Sequence, residues 1–166
     1  MSRYPELATK VDGFFNRVAE RHGADMKCGS GCSHCCHVRL SITGVEAQAI
    51  REAVATWSTE RQRALADNVA SARAHCAALD PNGRCLIYEV RPIVCRSHGA
   101  PIRMRDARSL PVVAVCSNNF TARGPDAADP DCILDQETLS AMLLAVDRDA
   151  GGDGTRIDLA DLLADC

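Results

Sequence analysis

Aromatic side chains are scarce in this chain, with three phenylalanines, two tyrosines and one tryptophan among 166 residues. An excess of positive charge is missing too: 19 Lys and Arg stand against 22 Asp and Glu, a formal net charge of −3. That balance lacks the electrostatic footprint of a nucleic-acid binder. A short basic run, IRMRDAR at 102–108, has no interleaved aromatics and reads as a solvated face. No stretch approaches eighteen uninterrupted apolar residues, so no membrane span is expected. The first 23 residues are charged throughout and lack the apolar run and small-residue cleavage site of an export signal. The chain therefore reads as cytoplasmic, where a reducing poise keeps thiols free and argues against structural disulfides.

What the chain does have is sulfur. Ten cysteines are present, and the stretch CGSGCSHCCH, 28–37, holds four of them with two histidines. The remaining composition, 46% hydrophobic and 25% charged, is that of an ordinary globular protein. A length of 166 residues fits one domain with a real core. Clustered thiols in such a chain point to a metal site or to thiol redox chemistry rather than to a disulfide framework.

The apolar spacing predicts a mainly α fold with little β structure. Leu7, Val11, Phe14, Phe15 and Val18 make one face of a helix over 5–22, with Gly23 just beyond it. VRLSIT reads as a short extended run. Thr43 and Glu46 form a capping box that opens a helix to about Trp57. Ser58 caps the next helix, whose stripe Leu65, Val69, Ala72, Cys76, Leu79 puts Cys76 on a buried face. DPNGR at 80–84 is a turn, and Pro92 suits the start of a short helix carrying Cys95. IRMR and LPVVAV pair as a hairpin, with Pro111 confining its strand to an edge. A loop over 123–131 leads to a helix apolar at Leu139, Met142, Leu143 and Val146, and a terminal helix lies around 158–164. The expected organisation is a single domain over 1–166, with a cysteine core at about 28–98 and helical additions on both sides.

The cysteines fall into two groups: C-x3-C-x2-C-C at Cys28, Cys32, Cys35 and Cys36, and C-x8-C-x9-C at Cys76, Cys85 and Cys95. Short spacings let thiolates from one tight turn reach a common ion or cluster, which is why they recur in zinc and iron–sulfur sites. One loop supplies only part of a coordination sphere, and the second group is the obvious donor of the rest. All seven are candidate metal ligands. Side chains of neighbouring residues usually diverge, so the adjacent pair Cys35–Cys36 argues for more than one metal, or for two corners of a cluster. Arg91 and Arg96, with His34, His37 and His98, stand beside the cysteine segments and are candidate neighbours of a negatively charged thiolate centre. Cys116 and Cys132 are possible extra ligands, and Cys166 reads as a bystander. Glu46 is a capping residue, Tyr88 a half-buried packing residue, and His22 and His75 helix residues at the surface or in packing.

CGSGCSHCC, VRLSITGVEAQAI and CAALDPNGRCLIYEVRPIVCR together resemble the YkgJ-like cysteine-cluster family, described as zinc- or iron-chelating. The matching positions are Cys28, Cys32, Cys35, Cys36, Glu46, Cys76, Cys85, Ile87, Tyr88, Arg91, Pro92, Cys95 and Arg96, within roughly 28–98. The resemblance implies a metal ion, zinc or iron, or an iron–sulfur cluster. Larger relatives include flagellin lysine methylases, so an enzyme acting on a peptide or protein partner is the second reading. This chain has no evident nucleotide- or methyl-donor-binding motif, and its GGDG at 151–154 follows a helix where a phosphate loop should precede one. A thiol oxidoreductase is the third reading, opposed by the lack of a βαβ pattern around the cysteines. The segment DRDAGGDGTRID, 147–158, spaces some carboxylates as a calcium loop would. Glycine at its fifth position and aspartate at its twelfth favour a helix end followed by an acidic loop.

Overall fold

The computed structural model describes residues 2–29, 31–72 and 75–166. The protein is mainly α-helical with a few short strands. The chain forms two compact units: 1–4, 30–92 and 146–166 make the first, and 5–29 with 93–145 the second.

The first unit begins, after the cysteine loop, with strand β1 (Ser41–Ile42), followed by helix α2 (Gly44–Ala55). Thr43 and Glu46 act as expected: the Thr43 N–H donates to Glu46 Oε2 at 2.9 Å and its hydroxyl donates to the same oxygen at 3.0 Å. Val45, Ala47, Ile50 and Val54 turn one face of α2 inward. Helix α3 (Thr59–Ser71) opens on Ser58, whose hydroxyl accepts the Arg61 N–H. The core of this unit joins Ile42, Ile50, Val54, Leu65, Ala78 and Ile87 to Leu159, Leu162 and Leu163 of the last helix, α6 (Leu159–Ala164). Strand β5 (Ile157–Asp158) pairs antiparallel with β1, which closes the beginning and the end of the unit on each other.

Cys76 and Leu79 do not continue the α3 stripe. The helix stops at Ser71, and Ala72 is already extended, with φ −65° and ψ 138°. The Asn68 side-chain amide donates to the carbonyls of Ala77 and Leu79, at 2.7 and 3.0 Å, and so holds the following segment against the helix that has just ended. Cys76 is buried as expected, but from an irregular segment rather than from a helical face. The turn at Asp80 is as read: its Oδ1 accepts the N–H groups of Asn82 and Arg84, and Gly83 takes a φ of +76°.

In the second unit, helix α1 (Tyr4–Arg21) buries Phe14 and Val18 with Ala100 and Cys132. Helix α4 (Ile93–Ser97) leads into a three-stranded sheet. In it β2 (Ile102–Arg105) pairs antiparallel with β3 (Pro111–Ala114) and parallel with β4 (Leu134–Asp135). Pro111 sits on an edge strand, as a residue without an N–H must. Helix α5 (Gln136–Asp149) begins in this unit and ends in the first; Leu139 and Val146 are buried, whereas Met142 is 42% exposed. Met142 lies at the margin of the stripe that Leu139, Leu143 and Val146 define, so the expectation that it belongs to the apolar face does not hold.

The glycines at 151–154 have a structural use. Asp147, fully buried in the first unit, accepts the Val45 N–H at 2.8 Å and the Gly154 N–H at 3.2 Å. A Cβ on Gly152 would fall 2.3 Å from Asp147 Oδ2, so the loop wraps the carboxylate only because that position has no side chain. The carboxylate sits at the N-terminus of α2, where orphan N–H groups and the helix dipole both favour it. Asp158, the other end of the calcium-like segment, accepts the Ala160 N–H and caps α6. Asp147→Ala is expected to destabilise the protein by about 2–3 kcal/mol, because two N–H groups lose a charged acceptor. Urea unfolding, with the exposed Glu52→Ala as the near-neutral comparison, measures it.

Candidate metal centre

The first unit holds six cysteines: Cys32, Cys35, Cys36, Cys76, Cys85 and the terminal Cys166. A single 3-10 turn, His34–Cys36, carries two of them, and the Cys35 and Cys36 Sγ atoms lie 3.9 Å apart. The expected divergence of neighbouring side chains does not occur, because the tight turn rotates successive residues less far apart than an extended chain does. The segment bearing Cys76 is tied to this turn by a backbone bond, in which Cys76 N–H donates to Cys36 C=O at 2.7 Å. Cys85 follows the Asp80 turn, and the Leu79–Cys85 bridge returns it beside the Cys76 segment.

The electrostatics of these thiols report their proximity. Cys36 is held well above the ordinary cysteine range, first by its hydrogen bond with Cys35, then by burial and by the charges of Cys35, Cys76 and Cys85. Burial raises Cys76, with Cys35 adding to it, against N–H donors from Ala78 and Leu79 that favour the thiolate. Cys85 is pushed up to about 11 by burial, with the Ile87 N–H and the Arg91 charge acting the other way. Backbone donors aimed at sulfur are of most use when the sulfur is an anion. Four thiols of this unit, Cys35, Cys36, Cys76 and Cys85, thus form one interacting set, equipped with donors for the thiolate form. That donor set fits zinc or iron. Cys32 is exposed.

Among the flanking residues, Arg91 lays its guanidinium 4.1 Å from the Tyr88 ring centroid and donates to the Tyr88 carbonyl at 2.9 Å. Tyr88 itself is 60% exposed, not half-buried, because the 3-10 turn Tyr88–Val90 points the ring outward under the arginine. His34 and His37 are both exposed.

Cys28, Cys95, Cys116 and Cys132 belong to the second unit. There Asn119, a residue that no sequence motif singled out, is almost fully buried and connects three segments. Its Oδ1 accepts the Lys27 N–H at 2.7 Å, while its Nδ2 donates to Cys28 Sγ at 3.2 Å and to the Gly99 carbonyl at 2.8 Å. Its own N–H donates to the Cys116 carbonyl at 2.8 Å. Cys95 lies on α4, partly exposed, followed by Arg96, which is buried and paired with Asp12 at 2.5 Å. His98, after the helix, is partly exposed. Gly99 has a φ of +99°, and a Cβ there would stand 2.4 Å from Cys28 Sγ.

A tighter donor set also lies in this unit, outside both cysteine groups. Among the described residues, His22, Asp129 and Cys132 each offer an atom within 4.8 Å of the other two. His22, read as a helix residue at the surface or in packing, is buried in packing and stands just past the helix end. It follows the last turn of α1 and packs on Phe120, 5.4 Å between ring centroids. A separation of 107 residues hid its meeting with Asp129.

A family model described as "CxxCxxCC: Putative zinc- or iron-chelating domain" matches residues 27–117, more than half of the chain. The chain belongs to this family. No curated protein and no solved structure is significantly similar to it. The CxxCxxCC region takes in eight of the ten cysteines, from Cys28 to Cys116, and leaves out Cys132 and Cys166. In this member the first gap of the motif holds three residues, and Gly31, at φ +85°, turns the chain inside it.

Gly99→Ala is expected to cost about 2–4 kcal/mol, from backbone strain at positive φ together with the clash on Cys28. Cys28 should then alkylate faster with iodoacetamide. Gly29→Ala, where a Cβ meets open space, is the matched substitution that should leave both thermal stability and labelling unchanged.

Proposed function

We propose that the chain is a metal-binding module holding one tetrahedral ion, zinc by preference, through the thiolates of Cys35, Cys36, Cys76 and Cys85. The observation that carries this reading is the 3.9 Å separation of the Cys35 and Cys36 sulfurs. Four sulfurs at about 2.3 Å from a central ion lie about 3.8 Å apart, so the pair already spans one edge of such a tetrahedron. Thiolates on different irons of a cluster are spread further, by the metal–metal distance as well. The mutual electrostatic influence of Cys36, Cys76 and Cys85, and the Cys36–Cys76 backbone bond, support Cys76 and Cys85 as the other two ligands. These thiols are looser than 4.8 Å as a threesome among the described residues, so the ion draws them in on binding.

The ion's contribution is to neutralise like charges that otherwise repel. Four thiolates and one divalent ion leave a net charge of roughly −2. Arg91 offsets part of it, through its effect on Cys85. A sphere closed by four thiolates has no open position and serves to hold structure rather than to activate a substrate. Cys32, exposed on the same loop, stands outside this set.

Anaerobically purified full-length protein should be colourless and contain zinc. Cys35→Ser and Cys76→Ser should each lose that zinc, and their melting temperatures should fall to that of the chelator-treated wild type, because metal binding is coupled to folding. Cys32→Ser should keep both. A brown protein with iron and acid-labile sulfide would replace the single-ion reading with a cluster. Unchanged metal and melting temperature in Cys35→Ser and Cys76→Ser would remove these thiols from the site.

A further inference from the structure

We propose a second metal site, made by His22, Asp129 and Cys132, that takes a borderline divalent ion such as zinc through one nitrogen, one oxygen and one sulfur ligand. It lies wholly in the second unit and outside residues 27–117, so the family's own region does not contain it.

Two ligands come from one tight turn. Asp129 precedes the 3-10 turn Pro130–Cys132, in which the Cys132 N–H donates to the Asp129 carbonyl at 2.8 Å. The D-x-x-C spacing across that turn gives a carboxylate and a thiol a common direction, and Pro130 stiffens it. The third ligand follows the end of α1, where His22 N–H donates to the Val18 carbonyl at 2.8 Å. Phe14, Val18 and Ala100 enclose Cys132, which is completely buried.

The hydrogen bonding of these groups is incomplete. His22 is only 6% exposed, yet its Nδ1 has no partner among the described residues. Its Nε2 receives the Asp129 N–H at a long 3.3 Å and stands 3.5 Å from Asp129 Oδ2. Nε2 is thus the nitrogen that faces the Asp129 carboxylate, while the orphan Nδ1 shows that the buried ring's hydrogen bonding is unsatisfied. Among the described residues the Asp129 carboxylate has two ion-pair contacts, both long, 3.5 Å to His22 and 3.7 Å to Arg21. Arg21 is committed elsewhere, bonding both oxygens of Asp131 at 2.7 and 2.8 Å. Asp129 is therefore available to a cation, and its side chain, 52% exposed, gives the ion a path in from solvent.

Imidazole, carboxylate and thiolate together suit zinc better than magnesium or calcium, which take oxygen, and better than a soft ion that takes sulfur alone. Binding forms a metal–sulfur bond at Cys132 and releases the thiol proton to solvent. Three protein ligands leave a fourth position for water. The site thus differs in kind from a closed tetrathiolate.

The test uses the full-length protein titrated with Co2+, read by thiolate-to-cobalt absorption and by metal counted per chain after gel filtration. Asp129→Asn removes a solvent-exposed carboxylate and His22→Gln the buried imidazole. Each is expected to lose one equivalent of cobalt relative to wild type, or to bind that equivalent at least ten-fold more weakly. Asp131→Asn, on the same turn but outside the three donors, should retain it. Equal cobalt number and affinity in wild type, Asp129→Asn and His22→Gln would overturn the site. A loss in Asp131→Asn as large as in Asp129→Asn would overturn it too, by reducing the effect to local charge.

Discussion

Neighbouring thiols on partly buried backbone can stay close only while they remain protonated or have a cation between them. That constraint governs the first unit. Cys36 takes its raised pKa from hydrogen bonding to Cys35, from burial and from neighbouring thiols, all of which penalise the bare thiolate. The surrounding backbone is nevertheless arranged for the anion, with N–H donors from Ala78 and Leu79 on Cys76 and from Ile87 on Cys85. The ion proposed for this site would reconcile these opposed demands, replacing the protons and leaving the donors in place. The turns follow from the same need: the 3-10 turn at His34–Cys36 and the Asp80 turn both present sulfur at the end of a tight reversal.

The rest of the first unit holds these turns still. The Cys36 and Cys85 side chains pack against the cluster that contains Ile42, Leu65, Ile87 and Leu162, so the sulfur site rests on the hydrophobic core rather than beside it. That core is in turn pinned by buried carboxylates. Glu46 and Asp147 each satisfy N–H groups where α2 begins, one from within the helix and one from the far end of the sequence. Unpaired, either carboxylate would be costly at such depth. Paired, they fix the direction in which α2 leaves the strand before it.

Much of this was legible in the chain itself, and the misses share a cause. Local chemistry carried well: the Thr43–Glu46 cap, the Ser58 cap, the Asp80 turn, the edge placement of Pro111 and the burial of Phe14 and Val18 depend on residues close in sequence. Periodicity misled where a helix ended without changing the apolar spacing. Cys76 and Leu79 continue the α3 pattern, yet Asn68 holds them there from a folded-back segment. The distance between Cys35 and Cys36 depended on a 3-10 turn that composition does not announce. Asn119 and the His22–Asp129–Cys132 set could not be found from spacing, because their members meet across 92 and 107 residues. A carboxylate at the head of a Pro-containing D-P-D-C turn was the nearest visible signal, and it acquires meaning only beside a buried imidazole.

The two donor sets differ in the property that decides how a bound ion behaves. An all-thiolate site is soft, closed and coupled to the folding of the segments that supply it, so its ion leaves only as those segments open. A site of one imidazole, one carboxylate and one thiolate, as proposed for the second unit, would keep a vacant position and one half-exposed ligand, Asp129. In a single chain the first is suited to retention and the second to exchange. Were both proposed sites to take zinc, the sulfur site would be expected to fill first at limiting concentration and the mixed site to follow the free ion.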